Sequence, residues 1–167
     1  ATTVMSQKKF SKEKFKVFHP GGNIGKSLLL AKDIMVTGKK MPIVNFKSNL
    51  KNALKEMNKK KLGMLVIIRK KNIQGIVTDG NLRREIKNYS NNKDLSKFVT
   101  KTPFVVNENM PASKVLSIMA EKRITSLLVV SDKDFLKKKD KKLKGIIHIH
   151  FLLRNGINSV SYTHLRA

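Results

Sequence analysis

No cysteine occurs in this chain of 167 residues, so neither a disulfide framework nor a thiolate metal site can be built from it. That absence says little about compartment, since many cytosolic proteins lack cysteine. No apolar run approaches the roughly 18 to 20 residues that a membrane-spanning helix needs, and no N-terminal stretch has the charged-then-apolar pattern of a signal peptide. A soluble, cytoplasmic protein is expected, with no membrane among its partners. Acidic residues are scarce: 11 Asp and Glu stand against 36 Lys and Arg, a net charge of +25. This balance points toward nucleic acid, but a further shortage weighs against it. Only six of the basic residues are Arg, the side chain best suited to bidentate phosphate and base contacts, and no nucleic-acid-binding motif accompanies the charge. The Lys are spread through the chain among many Asn, the residue usage of an AT-rich genome. A solvated Lys-rich surface that binds polyanions weakly is expected, and no specific nucleic-acid partner.

What the chain does contain is a duplication. Gly75-Ile76-Val77-Thr78-Asp79-Gly80-Asn81-Leu82-Arg83-Arg84 is echoed by Gly145-Ile146-Ile147-His148-Ile149-His150-Phe151-Leu152-Leu153-Arg154. In both, a Gly opens a β-branched apolar run, a short polar step follows, and a Leu and an Arg stand seven and nine residues after the Gly. Around each copy the order is the same. Pro42-Ile43-Val44 is a short extended run; Leu50, Ala53, Leu54 and Met57 recur at helical spacing; Leu62 to Ile68 reads as a buried strand; Gly75 to Val77 is a second strand leading at Asn81 into a helix. The second copy repeats it with Pro103 to Val106, a helix carrying Val115, Leu116 and Met119, a strand at Ser126 to Val130, and a strand at Gly145 to Ile147. The fold class expected is α/β, two strand-helix-strand-strand-helix repeats related by a pseudo-twofold. At 40% hydrophobic the chain can bury a core, as one domain or two small ones. Ser131 to Lys144 is longer than the matching segment of the first copy and rich in Lys, and it reads as a solvated loop without chemistry of its own.

The flanks read differently. Ala1 to Gln7 starts without an initiator Met and looks like the end of a helix already under way, so the chain is expected to be a fragment. Gly25-Lys26-Ser27 imitates a phosphate-binding P-loop. The spacing refutes it: that loop needs four residues between its first Gly and the Gly-Lys-Ser, and here the first position is Pro20. Val160 to Ala167 resembles a sequencing adapter translated in frame and is set aside together with His164.

The duplicated unit, with Gly-Ile-Val-Thr at its last strand, resembles a tandem cystathionine-β-synthase (CBS) domain pair, or Bateman module. More specific blocks run in one order from His19 to Gly156. They are His19-Pro20-Gly21-Gly22-Asn23-Ile24-Gly25-Lys26, Asp33-Ile34-Met35 with Thr37-Gly38, Leu62-Gly63-Met64, Gly75 to Arg84, Arg123-Ile124-Thr125-Ser126 and His148-Ile149-His150. These resemble the C-terminal half of bacterial D-arabinose 5-phosphate isomerases. In that family a sugar isomerase (SIS) domain interconverts D-ribulose 5-phosphate and D-arabinose 5-phosphate for synthesis of Kdo, a lipopolysaccharide sugar. The resemblance implies that 1–18 is the remnant of the last SIS helix and its exit, 19–32 a linker, 33–95 and 96–157 the two CBS repeats, and 158–167 a non-native or disordered tail. It implies a regulatory and oligomer-supporting role beside a missing SIS domain, a homo-oligomer that is a tetramer in the intact enzyme, and no isomerase activity for this chain alone. The alternatives are a free-standing nucleotide-sensing CBS protein and a basic polyanion binder.

The resemblance also assigns candidate residues. His19 matches the family's catalytic His, acting in the intact enzyme; an imidazole titrating near neutrality suits the proton transfers of an aldose-ketose isomerisation. Thr78, Asp79 and Asn81 stand where a CBS module presents groups to a ribose and phosphate, and a helix start there would offer free N–H groups to an anion. Asn81 replaces the Asp of the usual pattern, and in the second copy His148 and Phe151 replace its Thr and Asp, so these residues read equally as helix caps and interface fillers. Thr125, Ser126, His148 and His150 complete the candidate ligand contacts. His148 and His150 alternate on one expected strand and would share a face, yet nothing nearby supplies further metal ligands, so no metal site is expected. No cofactor is required. A small-molecule effector, an adenine nucleotide or a nucleotide sugar such as the pathway's CMP-Kdo, would sit in the cleft between the repeats.

Overall fold

A computed structural model of the chain describes residues 28–86 and 95–157. His19, the linker through Ser27, the segment before it and the tail from 158 lie outside the described residues. The described chain runs α1 (Ala31–Ile34), β1 (Ile43–Asn45), α2 (Leu50–Lys60), β2 (Met64–Arg69), β3 (Asn72–Thr78), α3 (Asp79–Ile86), β4 (Val105–Asn107), α4 (Ala112–Lys122), β5 (Ser126–Val130), α5 (Asp132–Phe135), β6 (Gly145–His148) and α6 (Ile149–Arg154), with 3-10 turns at Gly38–Lys40 and Leu95–Phe98. β1-β2-β3 and β4-β5-β6 form two three-stranded sheets. In each the first pair is parallel and the second antiparallel. This is the α/β repeat pair the sequence predicts.

Each sheet is buried on two faces, which is why β2 and β5 are unbroken apolar runs. In β2, Leu65 and Ile67 face the helices of their own repeat, while Met64 and Val66 point the other way and meet Leu128 and Ile146 of the second repeat. In β5, Leu127 and Val129 face their own helices and Leu128 faces the first repeat. The period of two along a strand thus sends one set of side chains into a repeat core and the other into the interface between repeats. The helices follow the period of 3.6: α2 buries Ala53 and Met57, and α4 buries Ala112, Val115 and Met119. The Asn49 side chain caps α2 by accepting the Asn52 N–H at 2.9 Å.

The repeats also exchange their leading segments. Leu95 and Phe98 pack into the core of the first repeat, and Ala31 and Ile34 into that of the second. Just beyond each, the backbone adds a short bridge to the other repeat's last strand. Thr100 N–H donates to Ile76 O at 2.8 Å and Ile76 N–H to Thr100 O at 3.0 Å; Val36 N–H donates to Ile146 O at 2.8 Å and Ile146 N–H to Val36 O at 3.0 Å. The Gly that opens each duplicated stretch is needed where this crossing occurs. A Cβ on Gly75 would lie 2.5 Å from Thr100 O, and one on Gly145 would lie 2.7 Å from Met35 Cγ.

Two local expectations change. β6 stops at His148, and His150 lies in α6 rather than on the strand. The reason is the His148 side chain: its Nδ1 accepts the His150 N–H at 3.2 Å and turns the chain into a helix. Nor is Ser131 to Lys144 merely a solvated loop. Ser131 Oγ caps α5 by accepting the Asp134 N–H at 3.1 Å. Asp134 is buried, pairs with Lys137, and accepts the Lys142 N–H at 3.2 Å. The segment is then tied to the other repeat, because Ile73 N–H donates to Lys141 O at 2.9 Å. Among the described residues no helix is long and apolar enough to cross a membrane.

A candidate ligand cleft between the repeats

The antiparallel registers bring the two duplicated turns to one end of the molecule. Met64 pairs with Thr78 in the first sheet and Ser126 with His148 in the second. The turns that follow are fastened alike: Asp79 N–H donates to Gly63 O at 3.1 Å, and Ile149 N–H to Thr125 O at 2.8 Å. Between them opens a cleft of about 550 Å³. Six of the candidate ligand residues line it: Thr78, Asp79, Asn81, Thr125, Ser126 and His148. His150 does not; it lines a separate shallow groove with Lys61, Phe151 and Arg154, which His148 also borders.

Within the first turn the polar groups satisfy each other. Asn81 Oδ1 accepts from the Thr78 N–H at 3.2 Å and from the Thr78 hydroxyl, and Asn81 N–H donates to Thr78 Oγ1 at 3.2 Å. The free N–H groups expected there are therefore largely taken: those of Thr78, Asp79 and Asn81 all have protein partners. Thr78 and Asn81 form a reciprocal cap that starts α3. An amide oxygen that already accepts two hydrogen bonds has little left for a ribose hydroxyl.

The groups that remain available are others. Ser126 Oγ is buried at the cleft wall without a hydrogen-bond partner among the described residues. An orphan of this kind costs about 1–3 kcal/mol, and a polar ligand in the cleft would relieve it. Arg84, from α3, and Arg123, the residue that ends α4 in a left-handed conformation at φ 52°, also line the cleft. Neither guanidinium has an ion-pair partner among the described residues. Phe104, half exposed, and Pro103 supply an apolar wall beside Ile76 and Leu128. The cleft thus combines two exposed, unpaired cations, the Asp79 carboxylate, an unsatisfied hydroxyl and an apolar face, and its excess of positive charge suits an anionic ligand with a flat apolar part. Sequence reasoning passed over Arg84 and Arg123, although both lie inside stretches it singled out. Their signal was rarity, six Arg in a chain whose cations are otherwise Lys.

His148 sits at the join of cleft and groove. Its ring stacks on that of His150, with centroids 4.7 Å apart and 29° between planes. Burial pushes the His148 imidazole below the usual histidine range, and the neighbouring His150 pushes the same way. Its Nδ1 accepts a hydrogen bond, so the cap requires the neutral ring. Because the folded state disfavours the proton, the unfolded chain binds more protons once pH falls below about 6.5, the ordinary histidine value. Stability contributed by the neutral ring is full above that value and lost as pH drops through the depressed folded one. Thermal melts between pH 7.5 and about 5 should show a falling midpoint that His148→Thr, which restores the first repeat's capping residue, makes shallower. An unchanged slope in that variant would locate the pH dependence elsewhere. Among the described residues no group of three or more potential metal ligands gathers.

Comparison with known proteins adds the following. The CBS domain family model matches residues 31–88 and 93–154. An arabinose 5-phosphate isomerase of Yersinia pestis is 37% identical over 94% of this chain and 47% of its own length. An uncharacterized protein of Rickettsia prowazekii is 36% identical over 94% of this chain and 47% of its own length. The chain thus spans about half the length of the curated relatives it matches. Among solved structures, CBSX2 in complex with AMP is similar in fold, with a TM-score of 0.62 at 19% identity, covering 83% of this chain and 98% of that one.

Proposed function

The chain belongs to the CBS domain family, and from that premise we propose that it is the regulatory, ligand-sensing CBS pair of an arabinose 5-phosphate isomerase. On this reading a nucleotide or nucleotide sugar binds in the cleft between the repeats. Its phosphate meets Arg84 and Arg123, its polar groups meet Ser126 and Thr125, and its base lies against Phe104. The chain by itself does not isomerise sugars; it supports a homo-oligomer and biases the geometry of a SIS domain to which it is joined, with His19 serving that domain's chemistry. The observation that carries the reading is the convergence, from both repeats, of two unpaired guanidinium groups and the unsatisfied Ser126 hydroxyl on one cleft. Support comes from the relatedness to an isomerase over nearly all of this chain, and from the AMP held by a protein of the same fold.

A ligand that binds one arrangement of the repeats better than another shifts the population toward it, and that difference in affinity is the whole of its regulatory leverage. The test has two parts. Calorimetry of the chain with AMP, ATP and CMP-linked sugars should give saturable one-to-one binding for at least one of them, and no heat with any would sink the ligand-sensing role. Joined to a SIS domain, the same chain should change isomerase turnover when that ligand is added. Binding without any such change would favour a free-standing nucleotide sensor.

A further inference from the structure

A second crevice lies on the other side of the Thr102–Pro103 segment that walls the cleft. It measures about 190 Å³ and is lined by Lys101, Lys138, Lys139 and Lys141, with Asp140 as the one acidic residue, and with Ile73, Thr102, Pro103 and Val105. Three of these lysines, Lys101, Lys138 and Lys139, are exposed, and their like charges border one crevice with a single carboxylate among them. Lys101, Lys138 and Lys139 have no ion-pair or hydrogen-bond partner for their side chains among the described residues. Long Lys side chains on a free loop would drift apart into solvent. Here the loop is held.

The fastening comes from the segment that distinguishes the second repeat from the first. Buried Asp134 collects Lys137 and the Lys142 N–H. Lys141 Nζ donates to Asp134 O at 2.9 Å and Phe135 O at 2.7 Å. Asn72 Nδ2 donates to Asp140 Oδ1 at 3.2 Å, and Ile73 N–H to Lys141 O at 2.9 Å, which pins the loop to the edge of the first repeat's sheet. Asp140, at φ 57°, takes a left-handed turn, and Lys138 and Lys139 line the crevice together with Lys101. A scaffold that orders the loop backbone keeps the bases of these exposed lysine side chains beside one crevice, so their charge is concentrated where an anion can meet it.

We propose that this crevice is an anion-binding site, separate from the cleft, that takes a di- or triphosphate group. Lys101, Lys138 and Lys139 supply its free charges, while the Lys141 ammonium is held on the Asp134 and Phe135 carbonyls. The phosphate group comes either as free polyphosphate or as the tail of a nucleoside triphosphate. The site does not depend on the identity of the cleft ligand.

The test uses the whole chain and inorganic tripolyphosphate as probe, titrated at fixed moderate salt and followed by calorimetry. Saturable binding is expected, weakened about tenfold or more in Lys138→Gln/Lys139→Gln. Lys51→Gln/Lys55→Gln, which removes the same charge from exposed positions on α2, should leave it within about twofold, since distant exposed charges are screened. Equal losses in the two double variants would reduce the effect to net charge and overturn the proposal. So would binding that survives loss of Lys138 and Lys139 but disappears in Arg123→Gln, because the anion would then lie in the cleft. Circular dichroism of each variant guards against misfolding. Parallel titrations separate the sources: dependence on Lys138 and Lys139 for tripolyphosphate itself marks a free polyphosphate site, and the same dependence for ATP but not AMP marks a nucleotide tail. If a single-stranded oligonucleotide binds more tightly than tripolyphosphate at equal phosphate concentration through the same lysines, the crevice is part of a nucleic-acid surface and the proposal fails.

Discussion

Gly75→Val is expected to destabilise the chain by about 3 kcal/mol or more, read as a lower denaturant midpoint in urea followed by circular dichroism. The added Cβ would stand 2.5 Å from Thr100 O and in the same space as Val99 Cγ1. Overpacking of this kind costs about 1–3 kcal/mol where neighbours can shift. Thr100 cannot shift without loss, because it exchanges two backbone hydrogen bonds with Ile76 at 2.8 and 3.0 Å. Breaking each adds about 1 kcal/mol. The equivalent Gly145→Val should be somewhat milder: Met35 Sδ and Cγ can swing away, and only Met35 Cβ, at 2.9 Å, has to move with the backbone. Gly80→Ala serves as the control: its nearest neighbour, Thr78 Oγ1, is 3.8 Å away, an ordinary contact. The order Gly75 worst, Gly145 intermediate and Gly80 near neutral is the outcome expected. A Gly75→Val no worse than Gly80→Ala would mean that the exchange of leading segments between repeats is not rigid.

The elements that the sequence announced most clearly are those whose cause is local. β5 occupies Ser126 to Val130, the span its apolar run indicates, and α2 and α4 follow the spacing of Ala53 and Met57 and of Val115 and Met119. The duplication was legible because each copy needs the same Gly, crossed at close range by the other repeat's leading segment. What made that Gly necessary was not legible, since Thr100 and Met35 come from elsewhere in the chain. The end of β6 was hidden for a different reason. Ile146-Ile147-His148-Ile149 alternates or runs apolar without a break, and only the His148 ring, acting as a cap, decides that a helix starts. Likewise the charge of Ser131 to Lys144 was visible, while its order was not, because that order comes from burying Asp134 and from the edge of a strand, with Asn72 reaching Asp140 across 68 residues.

A motif and a packed structure say different things about the candidate residues. The motif drew attention to Thr78, Asp79 and Asn81, and they do line the cleft, but two of them spend their hydrogen bonds on each other. Motif position fixes where a turn lies; it does not say which of its groups remain free. Arg84 and Arg123 carry no mark of their own in the sequence, because a basic residue at or after the end of a helix is common for reasons of the helix dipole alone. Their convergence across the interface is a property of the packed pair, set by Met64 and Val66 meeting Leu128 and Ile146.

That convergence leads to the second large effect. Arg84→Gln and Arg123→Gln should each weaken binding of AMP by about tenfold to a hundredfold, because a charge-assisted hydrogen bond to phosphate contributes about 1.5–3 kcal/mol. Gln keeps much of the stem that packs at the cleft wall, so the substitutions remove charge rather than shape. Adenosine provides the internal reference: lacking phosphate, it should bind the variants within about twofold of the unchanged chain if the guanidinium groups act on phosphate alone. Ser126→Ala should do the reverse, reducing AMP and adenosine affinity together by a smaller factor, since a neutral hydroxyl contributes about 1 kcal/mol to whichever ligand atom it meets. Equal losses of AMP and adenosine affinity in both Arg variants would mean that these residues shape the cleft without reading charge. The phosphate would then have to be assigned to other groups on its rim, and the case for a nucleotide over an uncharged effector would fall with it.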